Sequence, residues 1–224
     1  MPLDPKRPIT YLITSGQTTL KTTPSSDEFS NILQLIEAAV ASDVSLVQIR
    51  EKQLNASVLY ELVVRCGALT RGTQTRLLVN DRVDVALTAP ADGVHLTSES
   101  MPAAVVRQLC SEEFLIGAST HSLAESRRAR ADGADFVLFG PVFETESKRE
   151  FGPPQGLEKL REVSSELGTF PVIAIGGVTV ENSVECFHAG ASGVAAIRLF
   201  DDARELGERV KAIRHCFAHM AKRP

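Results

Sequence analysis

The sequence predicts an α/β protein that forms a single (β/α)8 (TIM) barrel over residues 1–224. Short apolar runs rich in β-branched residues alternate with segments of helical periodicity, and the alternation repeats eight times. The later runs are continuously apolar, which is typical of parallel strands covered on both faces. Eight such units in about 220 residues fit a compact barrel. An open, doubly wound parallel sheet is the main alternative.

The first four units each pair an apolar run with a helical pattern. Ser26 precedes the first helical pattern, and Asn55 can cap the second helix. The predicted strands are residues 9–15, 46–50, 76–80 and 93–96, and the helical patterns follow at 29–39, 59–69, 83–87 and 102–109.

The last four units have the most apolar strands, such as FVLF at 136–139. A long loop bounded by glycine and proline, residues 140–156, follows this sixth strand, and long loops in compact domains are often lids or binding loops. The predicted strands are residues 114–119, 136–139, 172–175 and 193–197, and the helices are 122–131, 157–167, 181–189 and 202–219.

The composition argues against several classes of function. The net charge is −4, with 24 basic and 28 acidic residues, whereas a nucleic-acid-binding face needs clustered positive charge. No run of about 18 apolar residues would cross a membrane, and MPLDPKRP at the N-terminus lacks the apolar core of a signal peptide. Cys66, Cys110, Cys186 and Cys216 are far apart, which predicts reduced, buried thiols. We therefore expect a cytoplasmic protein.

Cationic side chains occur at the end of the second strand. The active site of a barrel lies at the C-terminal ends of its strands, and side chains alternate between the two faces of a strand. Apolar Val47 and Ile49 should face the helices. If the strand continues, Gln48, Arg50 and Lys52 should therefore share the other face and point to the mouth. Adjacent arginine and lysine predict an anion-binding site. A strand end that simply emerges into solvent is the alternative.

The third strand ends in Asn80-Asp81, beside the predicted cations. One carboxylate together with substrate phosphate oxygens is a typical Mg²⁺ arrangement, so Asp81 is a candidate metal ligand. Ordinary turn chemistry also explains Asn-Asp after an apolar run.

Gly176 and Gly177 follow the seventh strand, and the eighth strand runs into Ile197 and Arg198. Many barrels bind phosphate in the loops after these two strands through backbone N–H groups. The glycines would allow a phosphate to approach the backbone closely, and a plain turn is the alternative.

Taken together, these strand ends resemble the thiamine-phosphate synthase family and its close relative, the thiazole tautomerase. The resemblance implies a barrel that joins an aminopyrimidine carrying a methylene pyrophosphate to a thiazole phosphate. The products would be thiamine phosphate and pyrophosphate, and Mg²⁺ would neutralise the leaving pyrophosphate. The matching motifs are VQIREK (47–52), LLVNDRVDVAL (77–87), ADGVHL (91–96), IGASTHS (116–122), GADFVLFGPVFETESK (133–148), VIAIGGVTVEN (172–182) and AGASGVA (189–195).

The resemblance also implies roles for the matched positions. Asp81 would bind Mg²⁺, and Ser100 stands at the position of the family's second metal ligand. The implied catalytic residues are Arg50, Lys52, Ser119 and Lys148. The implied substrate-binding residues are Gln48, Arg50, Lys52, Asn80, Ser119, Thr145, Ser147, Lys148, Gly177, Ile197 and Arg198.

Several positions depart from the synthase pattern or bear on whether the chain is closer to the synthases or to the tautomerases. Ser100 replaces an aspartate of the synthases, and Arg198 replaces a serine. His121 matches a histidine that shuttles a proton in the tautomerase branch, although Asp81 and Lys52 match the synthases. The alternatives are therefore a thiazole tautomerase with His121 as acid and base, and a non-catalytic barrel that binds a thiamine-pathway phosphate. The family also implies a homodimer.

Overall fold

A computed structural model describes residues 7–145 and 153–220 of the chain. Eight parallel strands close into a barrel in sequence order, and the first strand pairs with both the second and the eighth. The (β/α)8 prediction is confirmed, and the open sheet is excluded because its outer strands would be unpaired edges. The strands are β1 Ile9–Ile13, β2 Leu46–Ile49, β3 Arg76–Asn80, β4 Gly93–Leu96, β5 Leu115–Thr120, β6 Phe136–Phe139, β7 Val172–Ile175 and β8 Gly193–Ala196.

Each strand is followed by a helix. Most predicted bounds agree within two residues, but the last helix begins four residues late because the turn after the short 3₁₀ helix Arg198–Phe200 intervenes. The helices are α1 Asp27–Ala41, α2 Ala56–Thr70, α3 Val83–Thr88, α4 Ala103–Leu109, α5 Leu123–Ala131, α6 Gly156–Leu167, α7 Val180–His188 and α8 Leu206–Met220.

Side-chain caps fix the starts of several helices. The Asn55 side chain accepts a hydrogen bond from Val58 N at 3.0 Å, which confirms the predicted cap of α2. Thr179 and Asn182 form a reciprocal capping box at α7. Ser26 precedes α1 as predicted, but its side chain makes no capping bond.

Buried side chains form two layers, one on each face of the closed sheet. Val47 and Ile49 lie in the outer layer between the strands and the helices, as the alternation predicted. The inner layer fills the barrel with residues such as Tyr11, Leu78 and Phe136. Each strand is therefore apolar on both faces for most of its length, and polar side chains are concentrated at the strand ends.

The cysteine prediction is only partly correct. All four cysteines are free, but only Cys66 and Cys186 are buried, and burial raises the pKa of both thiols to about 12. Cys110 and Cys216 are half-buried, since each lies at the edge of the outer layer rather than inside it. None of the helices described here is both long and apolar enough to cross a membrane.

Candidate active site

One pocket lies at the ends of β2 and β3, and Lys52, Asn80 and Asp81 line it together with Arg82. Arg50, the other predicted cation, is not among the residues that line this pocket. Because β2 pairs with β3 in parallel, their C-terminal ends are neighbours at the barrel mouth. Lys52 is exposed and Arg50 is half-buried, since β2 ends at Ile49 and the chain turns outward there.

Arg50 lies against the loop that follows β1. Its backbone N–H donates to Thr14 Oγ1 at 2.8 Å. Gly16 passes so close that an added Cβ would lie 3.4 Å from the Arg50 guanidinium Nη1, and its φ of +74° favours glycine. The loop thus forms one wall beside the cation.

Glu51 holds this loop, and sequence reasoning missed it. Its buried carboxylate accepts hydrogen bonds from Thr18 Oγ1 at 2.7 Å, Gly16 N at 3.2 Å and Thr18 N at 3.3 Å. These contacts fix the β1 loop to the end of β2. No local pattern indicates a partner that lies 33 residues away in the chain.

Asp81 adopts a left-handed backbone conformation, with φ of +63°. Its N–H donates to His95 O at 2.9 Å, and its carbonyl accepts from Val83 N at 2.8 Å. Left-handed conformations are uncommon outside glycine and cluster at functional sites. Within residues 7–145 and 153–220, the Asp81 carboxylate accepts no hydrogen bond, and the neighbouring Arg82 guanidinium interacts with it only through charge.

Ser100 fits a metal site poorly. Its Oγ accepts from Thr97 N at 2.8 Å and lies 3.1 Å from Thr97 Oγ1, so the hydroxyl closes a local turn after β4. In the part of the chain described here, no three His, Cys, Asp or Glu side chains are grouped to hold a metal. An ion at Asp81 would therefore need further oxygen ligands from a bound substrate.

Gln48 lies deeper than the mouth. It is 2% exposed, and its Nε2 donates to Tyr11 Oη at 2.8 Å inside the barrel. Burial raises the pKa of the Tyr11 phenol far above its ordinary value, so the phenol is neutral.

Ser119 is half-buried at the end of β5, where its Oγ lies 2.9 Å from His95 Nε2. His95 is buried beneath it, and burial lowers the pKa of the imidazole to about 3. The sequence held a signal for His95 that was missed. Val94 and Leu96 face the helices, so His95 must face the barrel interior.

The loop after β6 is docked on the glycine pair that follows β7. Val142 N donates to Ile175 O at 2.8 Å, and Phe143 N donates to Gly176 O at 3.0 Å. Gly177 has a φ of +64°, and an added Cβ would lie 2.5 Å from Glu144 O. Only glycine therefore permits this approach.

The other predicted phosphate-site residues belong to the loops that follow β6, β7 and β8. Asn182 Nδ2 donates to Gly177 O at 2.9 Å. Half-buried Ile197 and exposed Arg198 follow β8, the parallel neighbour of β7. Thr145 is half-buried at the last described position of the β6 loop, and Ser147 and Lys148 lie outside the described residues.

His121 is exposed just after β5, and its ring is held in one orientation. Nδ1 hydrogen-bonds to Gly140 O, and the His121 backbone N–H donates to Glu125 Oε2 at 2.7 Å. A carbonyl only accepts, so Nδ1 carries a proton, and Nε2 makes no hydrogen bond with the described residues.

Comparison with known proteins identifies the family. The family model described as thiamine monophosphate synthase matches residues 18–200. The chain belongs to this family. A protein of Geobacter sulfurreducens, named provisionally as a thiamine-phosphate synthase, is 45% identical over 183 residues, which are 82% of this chain and 85% of the relative. The thiamine-phosphate synthase of Moorella thermoacetica is 37% identical over 81% of this chain and 86% of its own.

A solved structure of a family member supports the same assignment. Thiamine phosphate pyrophosphorylase from Pyrococcus furiosus aligns with a TM-score of 0.75 at 32% identity. The alignment covers 94% of this chain and 95% of that one. The resemblance drawn from the strand-end motifs is thus confirmed at the level of the family.

Replacing Glu51 by glutamine should destabilise the protein by about 1–3 kcal/mol, because the buried donors of Gly16 and Thr18 lose a charged acceptor. Urea denaturation followed by circular dichroism measures the change. Glu61→Gln is the matched control, since Glu61 pairs with Arg65 on the surface of α2 and should contribute about 0.5 kcal/mol or less. Equal effects of the two substitutions would contradict the proposed tether.

Proposed function

We propose that this chain is a thiamine-phosphate synthase, a transferase that joins a pyrimidine pyrophosphate to a thiazole phosphate and releases pyrophosphate. The proposal rests on one observation. In a member of this family, the cationic end of β2 lies beside the end of β3, where the Asp81 carboxylate accepts no hydrogen bond from the described residues. Arg50 and Lys52 supply the positive charge, and Asp81 supplies the carboxylate. This combination suits a leaving group that departs with a high negative charge.

The pyrophosphate would bind between the ends of β2 and β3. Arg50 would make paired hydrogen bonds to phosphate oxygens, and Lys52 would act as a point charge. Bound at Asp81 and the pyrophosphate, Mg²⁺ would supply further charge neutralisation. Lys148, on the β6 loop, is proposed as a third cation, and Asn80 as a hydrogen-bonding group at the base of this pocket.

The pyrimidine ring would lie over Ser119, above the buried inner layer. Tyr11 and Gln48 pair with each other below it, so they support the ring rather than compete for its polar atoms. The apolar interior beneath excludes water from the carbon at which the bond breaks.

The thiazole phosphate would bind at the loops after β7 and β8. Gly177 would present backbone to the phosphate, helped by Ile197 and Arg198, and Thr145 and Ser147 would lie between the two substrates. Holding both substrates in one mouth turns a bimolecular reaction into an effectively unimolecular one. Departure of pyrophosphate and attack by the thiazole nitrogen require charge stabilisation and alignment more than proton transfer.

The Mg²⁺ requirement, a homodimer and a cytoplasmic location stay predictions alongside this function. Size-exclusion chromatography with light scattering measures the oligomeric state directly, and a mass of about twice the 24.2 kDa chain is expected.

A coupling assay tests the function. Purified protein is incubated with the pyrimidine pyrophosphate, Mg²⁺ and either tautomer of the thiazole phosphate, and thiamine phosphate and pyrophosphate are measured. We expect equal amounts of both products. Because His121 Nε2 makes no hydrogen bond with the described residues, the thiazole is also followed for tautomer exchange. Exchange without coupling would replace the proposal by a thiazole tautomerase, and tight binding without either reaction would indicate a non-catalytic phosphate-binding barrel.

Asp81→Asn should lower turnover on the order of 100-fold and raise the Mg²⁺ concentration needed for half-maximal rate, because the metal's carboxylate ligand is lost. Asparagine tolerates the left-handed backbone, so the substitution isolates the charge. Asp84→Asn is the control, since the exposed Asp84 carboxylate pairs with Arg82 and accepts from the Val85 backbone outside the proposed metal site. Wild-type turnover and Mg²⁺ dependence in Asp81→Asn would disprove the metal assignment.

A further inference from the structure

We propose that His95 is a positioning residue that fixes the hydrogen-bond direction of Ser119. His95 Nε2–H donates to Ser119 Oγ, and the serine hydroxyl proton then points to the mouth. Ser119 would thereby select a heterocycle that presents a hydrogen-bond acceptor, such as a ring nitrogen, at that point. The selectivity rests on the proposed function, whereas the direction of the hydrogen bond does not.

The His95 ring is enclosed by the inner layer of the barrel. Its side chain lies 5.8 Å from the Tyr11 ring and 6.1 Å from the Phe136 ring, measured between centroids. Gly117, on β5, leaves the room that the ring occupies, because an added Cβ would lie 2.7 Å from His95 Nδ1. The ring is therefore packed tightly, and among the described residues its side chain hydrogen-bonds only to Ser119.

The two ring nitrogens of His95 have different surroundings. Nε2 lies 2.9 Å from Ser119 Oγ, while Nδ1 is buried and has no hydrogen-bond partner among residues 7–145 and 153–220. Protonation at Nδ1 would bury an N–H donor without an acceptor, which native proteins rarely do. Protonation at Nε2 gives the buried proton an acceptor and leaves only a lone pair without a partner. The packing thus favours the Nε2–H tautomer.

This tautomer decides what Ser119 can offer to a ligand. A serine hydroxyl has one proton and can also accept hydrogen bonds. Once Oγ accepts from His95, its own proton turns toward the open side of β5, where Ser119 is half-buried. An acceptor atom of a ring can pair with this proton, whereas an amino group could only donate to the remaining lone pair of Oγ and would leave the serine proton unpaired. A ligand without an acceptor there would leave the serine proton unpaired in the closed site.

The tautomer is measured without any substrate. Protein labelled with ¹⁵N at histidine is studied by NMR near neutral pH, and the His95 resonances are assigned as those that disappear in His95→Phe. We expect a protonated Nε2 and an unprotonated Nδ1. A protonated Nδ1 would overturn the inference, whatever the outcome of the coupling assay.

A double-mutant cycle tests the selectivity. Binding of the pyrimidine pyrophosphate is measured in wild type, His95→Phe, Ser119→Ala and the double variant. His95→Phe should weaken binding about 10-fold, which corresponds to about one hydrogen bond, and should have little further effect in the Ser119→Ala background. His95→Gln keeps a side-chain N–H donor and should stay within about 3-fold of wild type.

Three results would count against the selectivity. These are equal losses for His95→Phe in both backgrounds, equal losses for His95→Gln and His95→Phe, or undiminished affinity for an analogue with C–H in place of each ring nitrogen. Wild-type protein that binds no pyrimidine would overturn the selectivity together with the proposed function, and the NMR measurement would still decide the direction of the hydrogen bond. If His95→Phe does not fold, Ser119→Ala identifies the resonance of His95 by its shift.

Discussion

Three rings, those of Tyr11, His95 and Phe136, fill the middle of the closed sheet, and the polar mouth lies directly above them. The Tyr11 and Phe136 centroids are 5.7 Å apart at 80°, an edge-to-face arrangement that aromatic pairs favour. Polar side chains in this layer are removed from solvent, so their hydrogen bonds are made inside the barrel. Tyr11 pairs with Gln48, and His95 pairs through Nε2 with Ser119, while His95 Nδ1 has no partner among the described residues. Packing in the core thus sets the positions of the side chains that a bound substrate would contact.

The loop after β1 occupies a central place in this arrangement. Strand β1 pairs with β2 on one side and with β8 on the other, so its loop lies between the two proposed phosphate sites. Glu51 fastens this loop to the cationic end of β2. On the other side, the start of the β6 loop hydrogen-bonds to Gly176 and packs against Gly177. The loop after β1 and the start of the loop after β6 are thus held by specific hydrogen bonds rather than by strand pairing.

Strand order and side-chain direction could be predicted from the sequence because the alternating β/α rhythm and period-two patterns are local properties. What the sequence could not show were strand ends and contacts that form only in the folded barrel. Gln48 faces inward as predicted, but Tyr11 engages it below the mouth. Lys52 does not extend the face of β2, because the strand ends at Ile49. The Glu51 tether joins segments that only the folded barrel brings together.

Ser100 does not behave as a metal ligand in this structure. Its hydroxyl closes a turn with Thr97, while Asp81 lines the pocket beside Lys52. The proposed function therefore requires that pyrophosphate binds at the ends of β2 and β3 and that thiazole phosphate binds at the ends of β7 and β8. A crystal structure with thiamine phosphate, pyrophosphate and Mg²⁺ tests it most directly. We expect pyrophosphate on Arg50 and Lys52, the metal at Asp81, and the ester phosphate at Gly177. The two phosphate groups in exchanged positions, or ligand bound away from the mouth, would contradict it.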